Sequence, residues 1–312
     1  MWKRSSSIVR ASVVMLALAA CASGSDESTG AATPTGTPAA AFPVTIETAE
    51  GPFTIDARPT SIVSLSPTAT EMLFEIGADE QVEAVDDQSD FPEGVPTTDL
   101  SGFEPNVEGI VSYAPDLVVI AGDTGGVVKG LEQLGVPVLV QPAAVTIDDT
   151  YEQIEQLGAV TGHAEDAEAV VREMQAAVGE IVASAPDGAG MTVYHELDDT
   201  YYSVTSETFI GQVYEMFGVE NIADEAKGAG SGYPQLSSEY IVDRDPSLIV
   251  LADSECCGQT PETVAERPGW GDLTAVTEGA VIAIGDDVAS RWGPRVVDFM
   301  RAVAEGLRGA AA

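Results

Sequence analysis

Two stretches far apart in the chain can be laid on one another without a gap. EGIVSYAPDLVVIAGD (108–123) and EYIVDRDPSLIVLADS (239–254) share Glu, Ile-Val, Pro and Leu, then an apolar run ending in Ala. A fainter echo pairs LFEIG (73–77) with YEMFG (214–218), each closing a helical pattern. Any α/β protein repeats helix–Pro–strand units, but that does not explain why Glu, Ile-Val, Pro and Leu all keep register. The chain therefore reads as two similar lobes. Between them lies AEDAEAVVREMQAAVGEIVAS (164–184), without Pro and with one Gly. Its residues Ala167, Val170, Val171, Met174, Val178, Ile181 and Val182 recur at spacings of three and four. That is one stripe of a helix, roughly 30 Å long. Pro186 ends it.

Strands and helices alternate on both sides of this segment. Apolar runs at 61–65, 82–85, 117–121 and 136–140 precede it, and runs at 192–196, 248–252 and 281–284 follow it. Between them lie helical patterns at 107–114, 125–134, 149–160, 208–217, 238–243, 263–267 and 294–307. A hairpin turning at Gly51-Pro52 leads in. Ser66-Pro67-Thr68 opens a helix, with a cap, Pro in the first turn and Glu71 three residues after Thr68. The expected fold is α/β: two Rossmann-like lobes with parallel sheets, residues 43–163 and 185–312, joined by the single long helix 164–184.

The N-terminus reads as a processing segment. Lys3, Arg4 and Arg10 make a basic stretch before the short apolar run 11–20. That run is too short to span a bilayer permanently. It ends Leu18-Ala-Ala-Cys21, which resembles the lipidation box of bacterial lipoproteins; the resemblance implies a signal peptide over 1–21 and a lipid on Cys21. Residues 22–42 are small and polar with scattered Pro and read as a flexible tether. The rest of the chain carries 13 Lys and Arg, less those three, against 51 Asp and Glu. Such a surface repels phosphate backbones and excludes nucleic acid as a partner.

Ligands of parallel sheets bind beyond the carboxyl ends of the strands. That rule selects Ser66-Pro67-Thr68, 86–90 with Asp87, 122–124, Gln141-Pro142, 197–202, 253–257 and 286–292. Within or near these turns, the candidate contacts are Ser66, Asp87, Glu196, Tyr202, Tyr233, Trp270, Arg291 and Trp292. Aromatic residues on turns suit a flat macrocycle or aryl chelate, and Arg291 suits an anionic group. Core packing is the competing reading for Trp270 and Tyr233. The chain has two histidines, His163 and His195, too few for a bare zinc or manganese pocket, so no metal centre or cofactor is expected. The adjacent Cys256 and Cys257 would form a vicinal disulfide outside the cytoplasm; two buried thiols or a soft-metal site are the alternatives. By the repeat register the pair matches Gly125-Gly126, at the rim of the cleft.

As a set, PTSIVSLSPTATEML (59–73), Gly77-Ala78, Val85-Asp86-Asp87, Glu108 with Pro115-Asp-Leu-Val118, PQLSSE (234–239) and SRWGPR (290–295) resemble one family. It is the family of substrate-binding lipoproteins that deliver ferric siderophores, haem or vitamin B12 to ABC importers. The resemblance spans 59 to about 307. It implies the class III architecture, two lobes on one rigid helix, and a monomeric receptor without catalysis. It also implies lipid anchorage to the cell membrane, a metal-chelate ligand in the cleft, and an ABC permease dimer with its ATPase as partners. One acidic residue per lobe docks on permease arginines in that family, and Glu108 and Glu239 occupy those positions. Their competing reading is as helix N-terminal acids favoured by the helix dipole. Rival functions are an adhesion or signalling lipoprotein on the same fold, or an extracellular enzyme. Against the enzyme, the chain has no G-x-S-x-G elbow, and Gly228–Tyr233 fails G-x-G-x-x-G at its last position.

Overall fold

The structure is a computed structural model that describes residues 42–311. The expected signal peptide, most of the tether and Cys21 lie outside the described residues. A hairpin of β1 (Val44–Thr48) and β2 (Gly51–Ile55) leads in, with Val44 opposite Ile55. Its turn is Ala49-Glu50, so Gly51-Pro52 belongs to β2 instead of forming the turn.

The first lobe contains β3 (Ile62–Leu65), α1 (Pro67–Glu75), β4 (Val82–Val85), α2 (Val107–Val111), β5 (Leu117–Ile120), α3 (Val127–Glu132), β6 (Val138–Val140) and α4 (Ile147–Thr161). Its sheet is parallel, in the order β4-β3-β5-β6. After α5 (Ala164–Ser184), the second lobe contains β7 (Thr192–Glu196), α6 (Phe209–Met216), β8 (Glu220–Asn221), α7 (Ser238–Arg244), β9 (Leu248–Leu251), α8 (Pro261–Ala265), α9 (Thr274–Thr277), β10 (Val281–Ala283), α10 (Asp286–Ser290) and α11 (Val296–Ala310). Its parallel sheet runs β8-β7-β9-β10, the same order of first, second, third and fourth strand.

The repetition extends to single residues. Asp116 N–H donates to Ser61 O at 2.9 Å, and Ser247 N–H to Thr192 O at 3.0 Å. The Asp116 carboxylate accepts from Ser61 N–H, as Ser247 Oγ accepts from Thr192 N–H. Of the three non-glycine residues with left-handed backbone among the described residues, two, Ala114 at φ 49° and Asp245 at φ 44°, also correspond. One constant offset in residue number relates all these pairs.

β5 and β9 are buried along their whole length, as strands covered on both faces must be. α5 has the predicted bounds and buries Ala167, Val171, Met174, Val178 and Ile181. It packs against α4 of the first lobe and α11 of the second. At the α4 crossing Gly158 has no room for a side chain: a Cβ there would lie 2.3 Å from that of Ala167.

Candidate functional site

The carboxyl ends of β3, β4 and β5 border a cavity of about 430 Å³. Leu65, Ser66, Pro67 and Thr68 come from the end of β3, Asp86 and Gln88 from the end of β4, and Ala121, Gly122 and Thr124 from the end of β5. Gly102 and Phe103 close one side, and Arg291 and Trp292 of the second lobe close another. The cavity thus lies where the two lobes meet.

Ser66 is buried and caps α1, its Oγ accepting from Ala69 N–H at 3.3 Å. Asp86 is buried too and accepts from Ser89 Oγ, which meets Thr70 Oγ1 at 2.9 Å. Burial raises the Asp86 carboxyl above its ordinary range, against the Ser89 hydrogen bond, which lowers it. Asp87, the residue selected from sequence, is exposed and does not line the cavity. Its N–H donates to Leu100 O, and the alternation along the chain turns Asp86 and Gln88 inward in its place. At Gly102 a Cβ would lie 2.7 Å from Asp86 Oδ2 and 2.9 Å from Leu65 O, so only glycine lets this loop close over β3.

Phe103 was not among the sequence candidates. It is 75% exposed, a large apolar side chain presented to solvent at the cavity rim. Its signal was an isolated aromatic residue in the polar segment 101–106, between Gly102 and Pro105.

Arg291 and Trp292 reach the cavity as expected, but Arg291 is not free to meet an anion. Its guanidinium donates to Glu71 Oε1 at 2.7 Å and to the Gln88 carbonyl at 2.9 Å. It also lies 2.7 Å from Asp287 Oδ2 and 3.3 Å from Asp90 Oδ1. Trp292 is held through Nε1, which donates to Gln153 Oε1 at 3.0 Å, and through its carbonyl, which accepts from Thr150 Oγ1 at 2.8 Å.

Two other candidates are corrected by burial. Glu196 is fully buried at the end of β7 and takes both guanidinium nitrogens of Arg267 as well as the Tyr194 hydroxyl. Trp270 is fully buried, its Nε1 donating to Ser238 Oγ at 2.8 Å and its ring lying under Arg267 and stacked on Tyr201. Both hold the second lobe together instead of meeting a ligand. Beside Glu196, Asp253 is buried with neither carboxylate oxygen hydrogen-bonded. Burial, then the Glu196 charge, push its carboxyl up to about 7, against the pull of Arg267. Tyr202 and Tyr233 are 40% and 52% exposed, in neighbouring segments joined by a bridge between Tyr202 and Gln235, outside the cavity.

Cys256 and Cys257 are exposed, free thiols; the disulfide expected from sequence is not formed in the structure. Asp286 instead holds their loop, accepting from Glu255 N–H at 2.9 Å and Cys256 N–H at 2.8 Å. A hydrogen bond with Cys257, then burial and Asp286, raise the Cys256 thiol. Among the described residues no three His, Cys, Asp or Glu side chains gather to hold a metal ion, and His195 is buried with Nδ1 2.7 Å from the Tyr214 hydroxyl.

Away from the cavity, Glu108 and Glu239 are both exposed, each the second residue of a short helix, α2 and α7. Asn106 caps the first and Ser237 the second. Each glutamate stands nine residues before its buried strand, β5 or β9.

The comparisons with known proteins agree with this layout. A cobalamin-binding protein of Halobacterium salinarum is 33% identical over 282 residues, 86% of this chain and 75% of its own length. An uncharacterized ABC transporter substrate-binding lipoprotein of Bacillus subtilis, YvrC, is 28% identical over 85% of this chain and 86% of its own. The crystal structure of a periplasmic vitamin B12 binding protein of Vibrio cholerae superposes with a TM-score of 0.69 at 22% identity, covering 81% of this chain and 98% of that one. This family and these relatives bind substrates and are not enzymes. With two equivalent parallel lobes, a cavity at their strand ends, and residues 62–288 matching the family description, the chain belongs to the periplasmic binding proteins.

Proposed function

We propose that this chain is the receptor of an ABC importer, captures a corrinoid between its lobes and hands it to a membrane permease. The observation that carries the choice of ligand is the state of Arg291. Among the described residues it is the one cationic side chain bordering the cavity, and its charge is already matched by Glu71, Asp90 and Asp287. A carboxylate-rich siderophore, or haem with its two propionates, calls for unpaired cations to replace lost hydration. A corrinoid has a flat apolar face and a rim of neutral amides. Leu65, Pro67, Phe103 and Trp292 suit the face, and Ser66, Thr68, Asp86 and Gln88 suit the amides. The name of the Halobacterium relative supports the same ligand.

The chain would be anchored outside the cytoplasm by a lipid on Cys21 and held off the membrane by residues 22–42. The name of the Bacillus relative supports the anchor. Glu108 and Glu239 would meet one permease subunit each, a reading supported by their exposure and equivalent placement.

Titration of the purified protein with cyanocobalamin, hemin and ferrichrome, followed by tryptophan fluorescence, tests the ligand. Cyanocobalamin is expected to quench the Trp292 emission with a dissociation constant below about 1 μM. Saturable binding of ferrichrome or hemin with none of cyanocobalamin would overturn the assignment.

A further inference from the structure

Glu71 is nearly fully buried in α1 of the first lobe, yet its hydrogen-bond partners all belong to the second. Arg295 grips it side-on, with Nε 2.9 Å from Oε2 and Nη2 on Oε1, and Arg291 Nη1 adds a third contact at 2.7 Å. A buried carboxylate needs such partners, because its charge has lost water. The contact is close in backbone as well. A Cβ on Gly293 would stand 3.4 Å from Thr68 Cγ2 and 3.5 Å from Glu71 Oε2. Arg295 also covers the ring of Phe91 at 4.2 Å. Between the two arginines in sequence sits Trp292, whose indole borders the cavity.

We infer that Glu71 is a positioning residue of the cleft: Gln153 and Thr150 hold Trp292 itself, and Glu71, by clamping Arg291 and Arg295 on either side of it, fixes the backbone that presents Trp292 to the first lobe, and so sets ligand affinity. The inference rests on the corrinoid reading only for the choice of probe. Glu71 itself touches no ligand, since its carboxylate is consumed by the two guanidinium groups. A bidentate arginine–carboxylate contact fixes direction as well as distance. It does so beside a long helix, α5, that packs on both lobes and leaves small adjustments as the available motion. Asp90 and Asp287 tether Arg291 more loosely, their own side chains being more open to solvent.

The test uses the full chain with 5-fluorotryptophan incorporated, so that the Trp292 resonance, assigned with Trp292→Phe, reads the cleft without any ligand. Glu71→Gln, Arg295→Gln and the double variant are compared by that resonance and by cyanocobalamin affinity. Each single variant is expected to broaden or split the resonance and weaken binding by about tenfold. The double variant should bind no worse than Glu71→Gln alone, since that single already removes the Arg295 contact. Glu71→Asp, which keeps the charge one methylene short, stands in if Glu71→Gln does not fold, and should show the same resonance change. Wild-type affinity with an unaltered Trp292 resonance, or strictly additive losses in the double variant, would overturn the inference. If the wild type binds no cyanocobalamin, the ligand reading fails, while the resonance still decides the role of Glu71.

Discussion

At the scale of single residues, Asp253 makes a prediction about pH. Its carboxyl is raised from 3.8 to about 7 in the fold, so folded and unfolded chains bind the same proton below about pH 4. As the pH climbs from there to about 7, the unfolded chain releases it and the folded chain keeps it. Stability must therefore fall across that window, by at most about 1.4 kcal/mol per pH unit from this group. Asp253→Asn removes the ionisation while keeping the size and shape of the side chain. The advantage of the variant over the wild type, from urea unfolding, is expected to be larger at pH 8 than at pH 5; an equal difference at both would refute it. Asp253 also shows what the sequence hides. It was legible as a residue at a strand end, but its exposure to the Glu196 charge follows from β7 and β9 lying side by side. The same limit separates Asp87 from Asp86: position after a strand is legible, the inward turn is not. Trp270 and Glu196 failed as ligand contacts for a related reason. A strand-end turn can face the core as readily as the cleft, and only the Arg267 contact decides which.

At the scale of elements, the sequence pattern was strongest where periodicity ran long. α5 has its predicted bounds, because 21 residues of consistent three-four spacing leave little freedom. The short pieces were the weak ones. β8 with two residues, α9 with four and α10 with five carry too few positions for a period to emerge. The Asp286–Ser290 segment was read as a turn and is a helix, held by Asp286 to the cysteine loop. The packing of α4 on α5 is also absent from the pattern, although it fixes the connecting helix to the first lobe. Its mark is Gly158, a helix-interior glycine where alanine would ordinarily add about 1 kcal/mol. Here Gly158→Ala would drive its Cβ to 2.3 Å from Ala167 Cβ and 3.0 Å from the His163 carbonyl. The substitution is expected to destabilise the protein by about 1–3 kcal/mol, seen as a lower urea midpoint at unchanged m-value. A stabilised variant would mean that the two helices are free to separate at this crossing.

At the scale of the molecule, duplication was legible because α2 and β5 keep one register with α7 and β9, while the meeting of the lobes was not. Glu71 and Arg291 are 220 positions apart, and no local pattern marks them as partners. Duplication also carries the last prediction. Two carboxylates placed alike on twin lobes suit a permease with two-fold symmetry, each finding a guanidinium of one subunit. Helix-dipole stabilisation alone would explain an acid in the first turn of α2 or α7, but it would act on folding and not on transport. The two explanations separate in the variant Glu108→Ala with Glu239→Ala. Docking predicts that uptake of labelled cobalamin by cells falls by at least about tenfold, while the purified variant binds cyanocobalamin like the wild type. Each single substitution should fall between, since one contact survives. If the helix dipole were the whole account, uptake would persist and the urea midpoint would drop. Loss of ligand binding along with uptake would place these residues in the site itself, where their distance from the cavity gives them no contact to lose.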